Sequence, residues 1–356
     1  MDYKQKYLKY KSKYLDLKEQ SSFAQGGSPN QKYLDLKGGV VGLGNLPDVL
    51  LCEVLLGLEW REIIDFVIAN PRRMDVVRTC QFNFYHELPM TFAIFRRYFP
   101  CAIELSLRQD RTLVDANFAE FANGFTSPAL TDLIPSPAVT RTIGIKRLNM
   151  YYCNQVGITD AAFVNLKGIH TLDMAYCNQA GITNAAFVNL RGIHTLDMSG
   201  CDQVGITDVA FVNLKGIHTL NMNHCRQITE AVFVNIKGIH TLDITGCNQI
   251  ADAAFVHLRG IHTLNMNSCN QITDAAFVHL RGIHTLDMSF CNQEEITDAA
   301  FVHLRDIHTL NMSFCDQVEI TGAVFVYLRG IHRLDMYGCR PNIIAAARAI
   351  GLNVRA

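Results

Sequence analysis

Apolar and polar positions alternate along a short line that recurs from about residue 145 to 340. In Ile169-His170-Thr171-Leu172-Asp173-Met174-Ala175-Tyr176-Cys177, the apolar Leu172 and Met174 flank Asp173, which is the two-residue period of a strand. The line returns as Ile239 to Cys247 and as Ile283 to Cys291. A connector of a few residues then leads to the run Ile272 to Leu280, where Phe277 and Leu280 share one helical face. Thr273 is placed as its N-cap, Asp274 at the positive helix end, and Arg281 and Gly282 as the closing basic residue and C-cap. Cys153, Cys177, Cys201, Cys225, Cys247, Cys269, Cys291, Cys315 and Cys339 mark the period, with steps of 24 or 22 residues. A period in the twenties predicts an α/β solenoid, in which each unit buries its apolar face only against its neighbours. Stacked strands would form a parallel concave sheet with short helices on the convex side.

The line Leu-x-x-Leu-x-Leu-x-x-Cys followed by Ile-Thr-Asp-x-x-Leu-x-x-Leu resembles the cysteine-containing subtype of leucine-rich repeat. Met174, Met198, Met222 and Met266 stand at one of its leucine positions, and Phe163, Phe187 and Phe211 at another. The units are two to four residues shorter than that subtype's, which predicts helices of a single turn in places. Upstream, Leu46-Pro47 opens a segment with apolar residues at Leu50, Leu51, Val54, Leu55 and Leu58, followed by Glu59, Glu62, Ile63 and Ile64. Proline at a helix start and i, i+3/i+4 spacing predict two short helices, interrupted at Asn70-Pro71. These residues resemble the first half of an F-box; Val49 departs from its usual acid, and its later Val-Cys-x-x-Trp stretch is replaced by Asn70-Pro71-Arg72-Arg73.

The F-box resemblance implies that Leu46, Pro47, Leu50, Leu51, Val54, Leu55, Leu58, Ile63 and Ile64 dock on a Skp-type adaptor and, through it, a cullin ubiquitin ligase. The repeats would then hold a protein target, and the chain itself would catalyse nothing. The alternative is a plain repeat scaffold for protein–protein interaction, whose N-terminal helices cap the solenoid. The lysine- and tyrosine-rich start Lys6-Tyr7-Leu8-Lys9-Tyr10-Lys11 resembles N-termini of many proteins of mimivirus-type giant viruses, which would place the protein in a host cytoplasm.

Five segments follow from this reading. Residues 1–44 form a basic helical arm, striped by Tyr3, Tyr7, Tyr10 and Tyr14, and a flexible linker. Residues 45–100 form the F-box-like helical module, 101–144 a linker with a degenerate capping repeat, 145–340 about nine repeats, and 341–356 a capping helix.

Composition narrows the function. The formal net charge of -1 gives no overall field toward nucleic acid or an anionic membrane. No apolar run approaches the ~18 residues of a spanning helix. The expectation is a soluble intracellular monomer, cytoplasmic or nuclear, with no nucleic-acid or membrane partner. Nine of the 12 cysteines occupy one repeat position, which predicts buried thiols donating to turn carbonyls. Cys-x-x-Cys, a phosphate-binding glycine loop and a nucleophile elbow are all missing, so no metal, cofactor or enzymatic site is expected. The histidine columns at His170 to His332 and His257 to His303 lack accompanying carboxylates at ligand spacing, and the Lys167 to Arg329 column reads as helix C-terminal charge.

Candidate target-binding residues lie on the concave side. One column alternates Asp197, Asn221, Asp243, Asn265, Asp287, Asn311 and Asp335, so that amides separate carboxylates that would otherwise repel. It serves either as a ladder or as an acidic floor for a basic partner. The residue before each cysteine is aromatic at both ends, Tyr152 and Tyr176 at one and Phe290 and Phe314 at the other, with Tyr337 beyond. Exposed aromatics of this kind anchor interfaces. Glu294, Glu295 and Glu319 lie beside the phenylalanines, which favours that end.

Overall fold

The computed structural model describes residues 102–108, 112–122 and 144–356, together with Leu51, Leu55, Ile63, Val76, Val77, Cys80, Asn83 and Phe84. The arm at 1–44 and most of the F-box-like module at 45–100 lie outside the described residues. The chain divides into two compact units; 1–84, 90–103 and 126–143 make the first, and the rest makes the second. In the first, Leu51, Leu55, Ile63, Val76 and Val77 are helical and buried.

The second unit is a stack of parallel strands: β1 Glu104–Ser106, β2 Arg147–Asn149, β3 Thr171–Asp173, β4 Thr195–Asp197, β5 Thr219–Asn221, β6 Thr241–Asp243, β7 Thr263–Asn265, β8 Thr285–Asp287, β9 Thr309–Asn311, β10 Arg333–Asp335 and β11 Val354–Arg355. Each pairs with the next in sequence. The register is one repeat per step: Leu172 faces Leu196, and Asp197 faces Asn221. Strands β1 to β10 are each three residues long, because only the segment around the buried leucine keeps the alternation, and β11 has two. Opposite each strand lies a helical turn, α-helical in Asp274–Phe277 and 3-10 in Asp252–His257. At the C-terminal end the sequence predicts a helix alone. The helix Pro341–Ala349 forms, and the chain then adds β11 alongside β10.

Leucine, methionine, phenylalanine and cysteine columns fill the space between the layers. Leu242, Phe255, Leu264, Met266 and Cys269 are all essentially inaccessible. The thiols meet the expectation in detail. Each Sγ donates to a backbone carbonyl of the preceding unit at 3.0 to 3.3 Å, as Cys177 does to Met150 and Cys247 to Met222. Burial pushes the Cys247 thiol up to about 11 and that of Cys291 to about 12, so they remain protonated and unreactive.

A second inter-unit lock was not read from the sequence. Thr273 caps its own helix by accepting from the Ala275 N–H at 3.2 Å. The same threonine donates its N–H and hydroxyl to the two oxygens of Asp252 in the preceding unit, at 2.8 and 2.7 Å. Asp160 with Thr183, Asp208 with Thr229, Asp274 with Thr297 and Asp298 with Thr321 repeat this clamp. The Thr-Asp dipeptide therefore caps one helix and fastens two neighbours on either side.

Candidate protein-binding face

The turn that follows each strand forces the residue before the cysteine into the left-handed region. Tyr152 has φ 62°, Tyr176 56°, Phe290 58° and Phe314 57°. Side chains larger than glycine are uncommon there, and the conformation costs roughly 1–2 kcal/mol. It turns the rings outward. Phe290 and Phe314 stack with centroids 4.4 Å apart and planes 12° off parallel, while remaining 48% and 44% exposed. Two apolar rings are thus held rigidly in solvent, at the edge where Tyr337 is also exposed. At the other end Tyr152 and Tyr176 approach to 5.9 Å, and the Arg108 guanidinium lies 4.5 Å from the Tyr151 ring beside them. Each pair is closed by a glycine: a Cβ at Gly200 would strike the Tyr176 ring, and one at Gly338 the Phe314 ring.

The polar floor between the pairs is a ladder. Asn221, Asn265 and Asn311 donate their side-chain amides to Asp197, Asp243 and Asp287 at 3.0, 3.0 and 2.8 Å. The other oxygen of each aspartate accepts a backbone N–H two residues on, from Ser199, Thr245 and Ser289. Where no asparagine intervenes, the carboxylates feel each other. The Asp173 carboxyl is raised above its ordinary value, first by burial and further by the Asp197 charge. Asp335 is buried and ion-paired to Arg333 at 2.7 Å. The acidic-floor alternative therefore lacks free charge at Asp335, and Asp243, Asp287 and Asn311 are half-buried and engaged within the sheet.

Beside the floor, histidines from His170 to His332 stack ring on ring at 4.5 to 4.6 Å with planes 12 to 14° apart. Seven of these rings hydrogen-bond through Nδ1 to the following threonine hydroxyl, as His218 does to Thr219 at 3.1 Å. Periodicity placed the column; the stacking was not read from the sequence. Among the described residues, no group of three or more His, Cys, Asp or Glu is placed to hold a metal ion.

Of the residues assigned to adaptor docking, Leu51, Leu55 and Ile63 are at most 1% exposed. In this chain they are packed inside the first unit. Leu46, Pro47, Leu50, Val54, Leu58 and Ile64 lie outside the described residues.

Short parallel strands, one per repeat of 22 or 24 residues, with apolar columns and helical turns behind them, define a leucine-rich-repeat solenoid. The chain belongs to the BspA type leucine rich repeat region family, whose sequence profile matches in six copies over residues 134–262 and 204–331, more than half of the chain. That is a repeat family, not an enzyme family, and leucine-rich repeats present surfaces to protein partners. No curated protein matches the sequence. Among solved structures, a chain of the yeast Rad7 and Elc1 complex is similar at 13% identity and TM-score 0.48, covering 99% of this chain and 98% of that one. A chain of the glycosylated Toll–Spatzle complex from Drosophila matches at 12% identity and TM-score 0.47, over 75% of this chain and 41% of that one. A chain of the TLR13–ssRNA13 complex matches at 14% identity and TM-score 0.47, over 76% and 41%. The chain thus spans about two fifths of the length of the latter two. At these values the family assignment rests on the sequence match alone. Among the described residues, no helix is long and apolar enough to cross a membrane.

Proposed function

We propose that the protein is a non-catalytic recognition subunit: the repeat face binds a protein target, and the N-terminal module docks on a Skp-type adaptor of a cullin ubiquitin ligase. The observation that carries the target half is the exposed, stacked Phe290–Phe314 pair beside Tyr337. Rigid aromatics lose little conformational freedom on binding and supply the desolvated centre of an interface. The adaptor half rests on the F-box-like spacing of Leu46, Pro47, Leu50, Val54, Leu58 and Ile64. Holding a target beside a charged ligase enzyme accelerates transfer by proximity, so the chain needs no reactive group of its own.

A second reading, a plain interaction scaffold without a ligase link, is favoured by the burial of Leu51, Leu55 and Ile63, as expected of helices that serve only packing.

A photo-crosslinking residue at Tyr337 tests the target half, with the same residue at the convex Val256 as control. The expected result is a protein adduct from Tyr337 alone, lost when Phe290→Ser and Phe314→Ser are introduced together. Equal adducts from Val256, or adducts that survive both serines, would place recognition elsewhere.

A further inference from the structure

Three residues before each histidine of the stacked column stands a cation: Lys167, Arg191, Lys215, Lys237, Arg259, Arg281, Arg305 and Arg329. All eight are exposed, along the edge where the chain enters the strands. The ion pairs among the described residues, Arg147 with Glu104 and Arg333 with Asp335, use none of them. Within this edge's segments the one acid is Asp306. The remaining acids of the repeats lie away from it. Asp160, Asp208, Asp252, Asp274 and Asp298 are held in the threonine clamps, and Glu230 opens the helical turn after Thr229. Asp173, Asp197, Asp243, Asp287 and Asp335 end their strands, and Asp202, Glu294, Glu295, Asp316 and Glu319 lie in the connectors that follow the strands. The cations of this edge are therefore set apart from most of the acids of the repeats.

The arginines are also aligned. Arg191, Arg259 and Arg281 each donate Nε to the next unit, to Asn213 Oδ1 at 3.0 Å, His279 Nδ1 at 3.3 Å and His303 Nδ1 at 3.2 Å. Arg305 lies over the Tyr327 ring at 5.2 Å. Each guanidinium leans along the solenoid axis. For the first three, the terminal nitrogens have no protein acceptor among the described residues. That free fork is the part of arginine that grips a phosphate with two parallel bonds.

We infer that this edge is a rail for the phosphate backbone of a nucleic acid, bound without regard to sequence. A row with one cation per strand step, ~4.8 Å, matches a linear polyanion better than a single compact anion. Base reading is not built in. The histidine rings are stacked on one another, Tyr327 is covered by Arg305, and the exposed aromatic pairs lie at the opposite end of the strands. An anionic membrane is the less favoured partner, because the exposed apolar residues of the helical turns before the row, such as Val256 and Val278, are short, and the Tyr327 ring beside it is covered by Arg305. This surface is independent of the target face.

The test is fluorescence anisotropy of the full chain with a labelled DNA duplex and a labelled single-stranded RNA of unrelated sequence. Phosphatidylserine vesicles and polyglutamate are run in parallel. Both nucleic acids are expected to bind at low salt and to weaken steeply between about 50 and 200 mM salt. The variant carrying Arg259→Ser, Arg281→Ser, Arg305→Ser and Arg329→Ser should bind at least about tenfold more weakly, its salt slope reduced by about one per cation removed. The substituted side chains are exposed; circular dichroism checks the fold, and a second variant, Lys167→Ser/Lys215→Ser/Lys237→Ser, repeats the test at the other end. The Phe290→Ser/Phe314→Ser variant should bind nucleic acid as the wild type does. No binding at low salt, unchanged binding by both edge variants, or capture of vesicles or polyglutamate as tight as that of the nucleic acids would overturn the inference.

Discussion

Replacing Phe255 by alanine is expected to cost about 3–5 kcal/mol of stability, a large share of the roughly 5–15 kcal/mol that holds a domain folded. Phe255 is fully inaccessible and sits in a helical turn of the central repeat, in line with Phe233 and Phe277. The neighbouring rings are fixed by their own units, so the space left by the missing ring cannot close. The consequence is larger in a solenoid than in a globular core. Each unit touches only the one before and the one after, so a weak central unit uncouples the two halves. Chemical denaturation of the variant should show an earlier midpoint and a broader or two-step transition, with proteolytic cleavage near the substituted unit. A loss below about 1 kcal/mol with an unchanged single transition would mean that the columns do not carry the stack.

The second large effect is on pH. The imidazoles of His194, His262 and His308 are exposed and lie below their ordinary value, first by partial desolvation and then because the adjacent rings would carry like charge. His279 and His303 are lowered as well, by desolvation and then by Arg259 and Arg281. A group whose folded value is depressed binds its proton more readily in the unfolded chain. Its contribution is intact above the unfolded value of about 6.5 and is lost as pH falls below that, through the lowered folded values. Asp173, raised mainly by burial, acts in the opposite sense and offsets a little of the loss at the acid end. The melting temperature should therefore be level from about pH 8 to 6.5 and decline toward pH 5. In a His218→Gln/His262→Gln/His308→Gln variant, which interrupts the stack, the decline should be shallower. A wild-type melting temperature that is flat or rises into acid would refute a charge-sensitive stack.

The repeats were legible because the features that build them are local. Leu172, Met174 and Cys177 declare a strand and its exit, Thr273 declares a cap, and the cysteine steps give the register. The Asn–Asp ladder could also be anticipated, since parallel strands in register set residues one period apart side by side. What escaped was chemistry that exists only between units. Asp252 reads as a helix-end charge within its own turn, and the hydrogen bonds from Thr273 become visible only once the turns are stacked. The same holds for the imidazole stack and for the row of cations along one edge, which a chain-wide sum erases. The left-handed turn that pushes Phe290 and Phe314 outward has no signature in the aromatic residues themselves; the glycines at Gly200, Gly246 and Gly338 in the same column were the available clue. At Leu51, Leu55 and Ile63, which are buried, the sequence alone does not separate the two roles, because an apolar helical face looks alike whether it meets a partner or its own core.

The recognition-subunit account is tested most directly by binding of the purified full-length chain to a purified Skp-type adaptor from the proper host. The control carries Leu46→Arg and Leu50→Arg, which leaves the buried Leu51, Leu55 and Ile63 in place. The account predicts a stable complex with the wild type that is lost in the control while its circular dichroism is unchanged. No complex with the wild type, or one that tolerates both arginines, would contradict it and leave an interaction scaffold with no ligase link.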